Sequence, residues 1–175
     1  MNKLLLPSHR VSKKNFTGFG LAGILLLVVG GCSRSSDPFS TGVEALNKND
    51  YDSAVADFSD AIRLNPNSAE AYYNRGSAYN GKHDQDKAIT DFNAAIRLNP
   101  NLVLAYDNLG LIYDDRHDYD KAVTAYTGVI GLGPNDTKPY YKRANVYIEK
   151  GDYDDAIVDY TQIIQLNPSD TEALS

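Results

Sequence analysis

Cysteine occurs once in the 175 residues, at Cys32, and tryptophan does not occur at all. A single thiol closes no disulfide within the chain, and no Cys/His cluster with metal-ligand spacing can be assembled around it. The glycines form no phosphate-cradling loop and no nucleophile elbow. Carboxylates are plentiful, but nothing in their pattern singles out a pair held in split environments, as general acid and base work requires. The expectation is therefore a protein without catalytic residues, cofactor or metal. Positive charge is scarce beyond the first stretch. Residues 1–31 carry Lys3, Arg10, Lys13 and Lys14 and no acid, so the formal net charge of −6 understates the acidity of the remainder. An acidic body of this kind repels phosphate backbones and argues against nucleic acid as a partner. Long hydrophobic runs are missing too. The uncharged stretch from Phe16 to Val29 has 14 residues, short of the roughly 20 that span a bilayer as a helix.

What the first stretch does contain is a basic opening, an apolar segment of about 7–15 residues and small residues ahead of a cut, the layout of a secretory signal peptide. An uncleaved membrane anchor is the alternative. The junction "VVGGC" resembles the lipobox of bacterial lipoproteins, with Val29, Gly30, Gly31 and Cys32 in its four positions and Val29 where leucine is commoner. The resemblance implies removal of residues 1–31, a diacylglyceride on the Cys32 thioether and a further acyl chain on its amino group. Two or three chains make a lasting anchor where one holds only marginally. Residues 32–36 are then a short lipidated tether. Ser33, in place of the Asp associated with inner-membrane retention, implies the periplasmic side of the outer membrane if the host has two membranes.

The rest of the chain repeats itself. "AIRLNPN" runs from Ala61 to Asn67 and returns from Ala95 to Asn101, with looser copies "VIGLGPN" at Val129–Asn135 and "IIQLNPS" at Ile163–Ser169. The prolines Pro66, Pro100, Pro134 and Pro168 fall at a constant interval of 34, and a fixed period of that size marks stacked repeats. The units are 35–68, 69–102, 103–136 and 137–170, with 171–175 beginning an incomplete fifth unit or a tail. Tyr72, Gly76 and Tyr79 lie on one face of a helix, and Ala88, Phe92 and Ala95 repeat that spacing on a second. Gly76 and Ala88 are expected where the two helices approach closely, with Tyr72, Tyr79 and Phe92 filling the volume further out. Asn49, His83, His117 and Gly151 stand between the helices, where a left-handed residue ends the first helix. Asp50, Asp84, Asp118 and Asp152 are expected to cap the second. Leu64 and Leu98 read as its last buried side chains, and Asn65 and Asn99, held out of helical geometry by the following prolines, end it.

With Tyr106, Gly110, Tyr113, Ala122, Tyr126 and Pro134 in the third unit, and Tyr140, Ala144, Tyr147, Ala156, Tyr160 and Pro168 in the fourth, residues 35–170 resemble the tetratricopeptide repeat (TPR). The resemblance implies an all-α solenoid of four helix-turn-helix units. It also implies a concave groove lined by the first helix of each unit, in which a segment of another protein is held. By register the lining is Phe39, Ser40 and Val43; Glu70, Tyr73, Asn74 and Ser77; Leu104, Asp107, Asn108 and Leu111; Lys138, Tyr141, Lys142 and Asn145. Asn74 and Asn108 occupy equivalent positions, and successive amides can hold an extended backbone whatever its side chains. Asn108, Lys138 and Lys142 also match the later part of a carboxylate clamp found in some members of the family, but Tyr73 and Ser77 stand where it wants Lys and Asn.

The function implied is a non-enzymatic scaffold or adaptor of the cell envelope, binding a protein or peptide and held to the membrane by its lipid. The alternative is a structural module that forms homo-oligomers through the fourth repeat. There, Ile157, Tyr160, Ile163, Ile164 and Leu166 are expected to leave part of an apolar face uncovered.

Overall fold

The spacing of small and aromatic residues is realised as eight helices in a computed structural model that describes residues 37–169. They are α1 (Pro38–Asn47), α2 (Tyr51–Leu64), α3 (Ala69–Gly81), α4 (Gln85–Leu98), α5 (Val103–Asp115), α6 (Tyr119–Leu132), α7 (Lys138–Lys150) and α8 (Tyr153–Leu166), with no strand among the described residues. Residues 1–36 and 170–175, and with them the signal peptide, Cys32 and the fifth-unit segment, lie outside that description. No described helix is long and apolar enough to cross a membrane.

Helices pair within a unit (α1 with α2, α3 with α4, α5 with α6, α7 with α8), and the second helix of each unit packs against the first helix of the next. Every described helix and core cluster belongs to the compact unit Arg34–Ser175. The turn inside each unit is the same four times. Asn49, His83, His117 and Gly151 have φ of 58°, 61°, 58° and 89°. In each turn the following aspartate's backbone N–H reaches back five residues, to Ala45, Tyr79, Tyr113 and Tyr147, at 2.8–2.9 Å. This is a Schellman closure, which needs a left-handed residue at the preceding position.

Two of the four aspartates then behave as expected. Asp50 and Asp84 accept from the backbone N–H groups of Ser53 and Lys87; the side-chain bonds from the Ser53 hydroxyl and the Lys87 amine, and after them those backbone bonds, hold both carboxyls below the usual carboxylate range. Asp118 and Asp152 make no side-chain cap. Their carboxylates are turned to the amines of Lys121, at 2.9 Å, and Lys150, at 2.8 Å, whereas Asp84 pairs with Lys87 and still caps its helix.

At the other end of each unit Asn65 and Asn99 leave helical geometry at φ −135°, and each side-chain oxygen accepts the N–H two residues on, closing a turn over the proline. Leu64, expected to be buried, is 65% exposed, and Leu98 is only half-buried. The equivalent Leu132 is 38% exposed as well, so the exit leucine is not a fully buried position in this array. Ala61 and Ile62 are the last buried residues of α2.

Gly42, Gly76 and Gly110 let the first helix of a unit approach an aromatic ring of the second. A Cβ on Gly42, Gly76 or Gly110 would lie 2.9, 3.0 or 2.5 Å from the ring of Phe58, Phe92 or Tyr126. These three rings are fully buried, each worth about 1.5–3 kcal/mol in transfer free energy. Two buried acids interrupt the apolar core, Asp91 and Asp159. Arg75 grips Asp91 through Nε and Nη2 at 2.7 and 2.8 Å and donates from Nη1 to Ser59 of the preceding unit. Arg143 grips Asp159 at 2.9 and 2.6 Å and donates to Thr127 in the same way. The third unit has Leu109 and Ala125 at these positions, both buried.

Candidate peptide-binding groove

Side chains from successive first helices meet directly, which places those helices side by side on one face. Asn108 Nδ2 donates to the Tyr73 hydroxyl at 3.4 Å, and Lys142 Nζ donates to Asp107 Oδ1 at 2.6 Å. The expected lining residues divide by what they touch. Phe39 stands edge-on to Phe58 with ring centroids 5.7 Å apart, and with Val43 it closes the first core cluster. Tyr73 lies against Phe92 at 5.7 Å and Tyr141 against Tyr160 at 5.9 Å. Each ring thus has one side on the core and is half-buried. Leu104 and Leu111 are 56% and 46% exposed. They are apolar side chains on helices whose opposite face already supplies the core.

The polar residues are partly committed already. Asn108 Nδ2 also bonds the carbonyl of Leu104 at 2.8 Å, and Asn145 Oδ1 accepts from the Tyr160 hydroxyl at 3.2 Å. Ser77 is turned to the carbonyl of Tyr73. Lys138 is exposed and its backbone N–H donates to Asp136. Asn74 makes no hydrogen bond among the described residues, which leaves its amide available in both senses. Lys142, one member of the half clamp, spends its charge on Asp107, so the site offers a terminal carboxylate much less than two lysines suggest. Phe39, Val43, Tyr73, Asn74, Leu104, Asn108, Leu111, Lys138, Tyr141, Lys142 and Asn145 all lie on first helices. Within that row Tyr73 meets Asn108, but no hydrogen bond joins Asn74 to Asn108.

At the far end of the same helices the face turns acidic, with Asp114, Asp115 and Glu149. Burial, then the neighbouring Glu149 and Asp115, push the Asp114 carboxyl above the usual range. Its folded form therefore favours the proton, and this residue's contribution to stability falls as pH rises through its raised pKa. His83 and His117 are turn residues, and no group of His, Cys, Asp and Glu suited to a metal occurs among the described residues.

Sequence reasoning missed the ion pairs. Arg75 with Asp91 and Arg143 with Asp159 recur at 68 residues, two periods apart, and both members change together in the third unit. That joint change was the available signal. Also missed were bridges between units: Lys82 with Asp52, Arg116 with Asp86 at 2.7 Å and Lys150 with Asp120 at 2.8 Å, each spanning 30 residues.

Three sequence profiles described as tetratricopeptide repeat match residues 39–103, 105–140 and 137–170. The chain belongs to the tetratricopeptide-repeat family, an all-α fold that serves as a scaffold for protein–protein interaction and is generally non-enzymatic. Among solved structures it is similar to MamA, at 28% identity over 77% of this chain and 79% of that one, with a TM-score of 0.70. It shares its fold with a tetratricopeptide repeat protein from Parabacteroides merdae ATCC 43184 (19% identity, 78% and 54% covered, TM-score 0.71). It likewise shares the fold of MamA from Desulfovibrio magneticus RS-1 (20% identity, 78% and 77% covered, TM-score 0.68). No curated protein matches the sequence.

Proposed function

We propose that this protein is a lipid-anchored adaptor of the bacterial cell envelope that holds an extended segment of another protein along its first helices. The observation that carries the binding reading is the exposure of Leu104 and Leu111 beside the unspent amide of Asn74. Apolar contacts supply most of the affinity in such sites, and amides align the backbone. The binding test is selection of peptides from a random display library on immobilised residues 34–175. Leu104→Asp with Leu111→Asp is expected to weaken the selected peptides at least tenfold, and Asn74→Ala with Asn108→Ala several-fold. Thermal unfolding should barely move, because surface changes usually stay within about 0.5 kcal/mol. Peptides bound equally well by all three proteins would remove this face as the site.

The anchor rests on "VVGGC" alone. Cys32→Ala is expected to leave an unprocessed precursor or to release the protein from membranes, read by fractionation and intact mass. A mature, membrane-bound Ala variant would overturn lipidation at Cys32. It would leave the peptide test untouched.

A further inference from the structure

Contacts across the groove face follow a register of 35 residues, at which Tyr73 is joined to Asn108 and Asp107 to Lys142. Two turns further along α5 and α7 the same register sets Asp114 against Glu149. Here carboxylate faces carboxylate, and of the charged groups around Asp114 it is Glu149 that acts on it most strongly. The cations on adjoining turns are committed elsewhere: Lys142 to Asp107, Arg116 to Gln85 and Asp86, Lys150 to Asp120 and Asp152. His117 Nδ1 is turned to the Tyr119 hydroxyl at 2.9 Å. Asp114 Oδ1 is buried and has no hydrogen-bond partner among the described residues.

A second orphan lies beneath it. Tyr126 is fully buried, and its hydroxyl has no partner either. A Cβ on Gly110, which stands between Asp107 and Asp114 on the same face of α5, would lie 2.7 Å from Cζ of Tyr126, the atom that carries this hydroxyl. The ring thus meets α5 at the glycine and brings its hydroxyl among the two aspartates, whose charges are the ones that act on it. Lys142 Nζ, on the groove face, stands 5.8 Å from the ring centroid. Neither feature recurs in the other units. Phe58 and Phe92 hold the position of Tyr126, as does Tyr160, whose hydroxyl is satisfied by Asn145. Leu46, Asn80 and Ile148 hold the position of Asp114.

Buried polar groups without partners cost stability, so two of them beside an unneutralised carboxylate pair need a reason. One kind of occupant satisfies them all: a cation that only donates, as an ammonium or guanidinium does. Leu111 and Ile148, 46% and 43% exposed, flank the spot and give the aliphatic stem of such a side chain a surface to lie on. We infer that the third and fourth units select a lysine or arginine of the bound segment, its head taken by Asp114 and Glu149 above the Tyr126 hydroxyl and its stem laid along Leu111 and Ile148. This selectivity rests on the proposed binding of a peptide by the first helices. Complementary charge of this sort sets specificity and register more than raw affinity.

The test selects peptides from the random display library on immobilised residues 34–175 and, in parallel, on the variant Asp114→Asn with Glu149→Gln. Lysine or arginine at a fixed position is expected in the first set and not in the second. The tightest wild-type peptide, labelled with fluorescein and followed by anisotropy, should bind the double variant about tenfold more weakly and Tyr126→Phe about threefold more weakly. With its basic residue replaced by norleucine, the peptide should bind wild type and double variant equally. Asp154→Asn with Asp155→Asn removes as much charge from exposed positions of α8 and should leave affinity unchanged. Thermal midpoints at neutral pH should not fall, because Asp114→Asn relieves a repulsion and Tyr126→Phe removes an unpartnered hydroxyl. Peptides that need Leu104 and Leu111 but share no basic residue would overturn the selectivity and leave the groove standing. So would affinity indifferent to the double variant or to Tyr126→Phe, or weakened equally by the α8 changes. A selection that yields no peptide would overturn the groove reading and this inference with it.

Discussion

Gly110→Leu is expected to lower the unfolding free energy of the helix array by about 3 kcal/mol, the upper part of the range for overpacking, and the midpoint by roughly 10 °C. The reason is geometric. A single Cβ at this position would lie 2.5 Å from Cε1 and 2.7 Å from Cζ of Tyr126, a ring that is fully buried and has nowhere to turn. Gly76→Ala is the milder control, since its Cβ would meet Phe92 at 3.0 Å and alanine's better helix propensity returns up to about 1 kcal/mol. Thermal unfolding of residues 34–175 should rank wild type, Gly76→Ala and Gly110→Leu in that order. Equal midpoints for wild type and Gly110→Leu would mean that α5 and α6 do not approach as described.

The second large effect concerns the ion pair inside the second unit. Asp91→Ala alone is expected to cost about 3 kcal/mol in urea-induced unfolding, because it strands the Arg75 guanidinium against a core that no longer neutralises it. The Asp91 side chain is 4% exposed and that of Arg75 20%, so water offers the arginine limited compensation. The double variant Arg75→Leu with Asp91→Ala should recover to within about 1 kcal/mol of wild type, since the third unit already packs Leu109 with Ala125 at these positions. A double variant as unstable as the single one would show that the two units do not solve this contact interchangeably. The bidentate bond to Asp91 is also what raises the arginine's pKa above its ordinary value.

Most of the fold was legible because the information was local and repeated four times. The turn residues Asn49, His83, His117 and Gly151 share one tolerance, the left-handed conformation. The backbone adopts it at all four despite three different side-chain chemistries. The capping aspartates were half legible. Nothing in "HDQDK" and "HDYDK" shows that Asp84 caps its helix while paired with its lysine and that Asp118, with a lysine at the same spacing, does not. Leu64 was misread because a helix's last turn is buried only if a neighbouring element reaches it, and that reach is a property of the packing and not of the helix's own spacing. On the first-helix face, the row of lining residues followed from register. The loss of Lys142 to Asp107 and the engagement of Asn108 with Leu104 and Tyr73 did not follow from it.

The amino-acid order alone determined the period, the four helix pairs, the turns and exits that separate them, and the face each first helix contributes, since all of these depend on spacing along one chain. Only the tertiary structure decided which charges are spent and which remain. Arg75 with Asp91, Lys142 with Asp107 and the bridges from Asp52, Asp86 and Asp120 join residues 16 to 35 positions apart. Whether two such groups come within hydrogen-bonding distance depends on how one helix packs on another, within a unit for Arg75 and Asp91 and between units for the others.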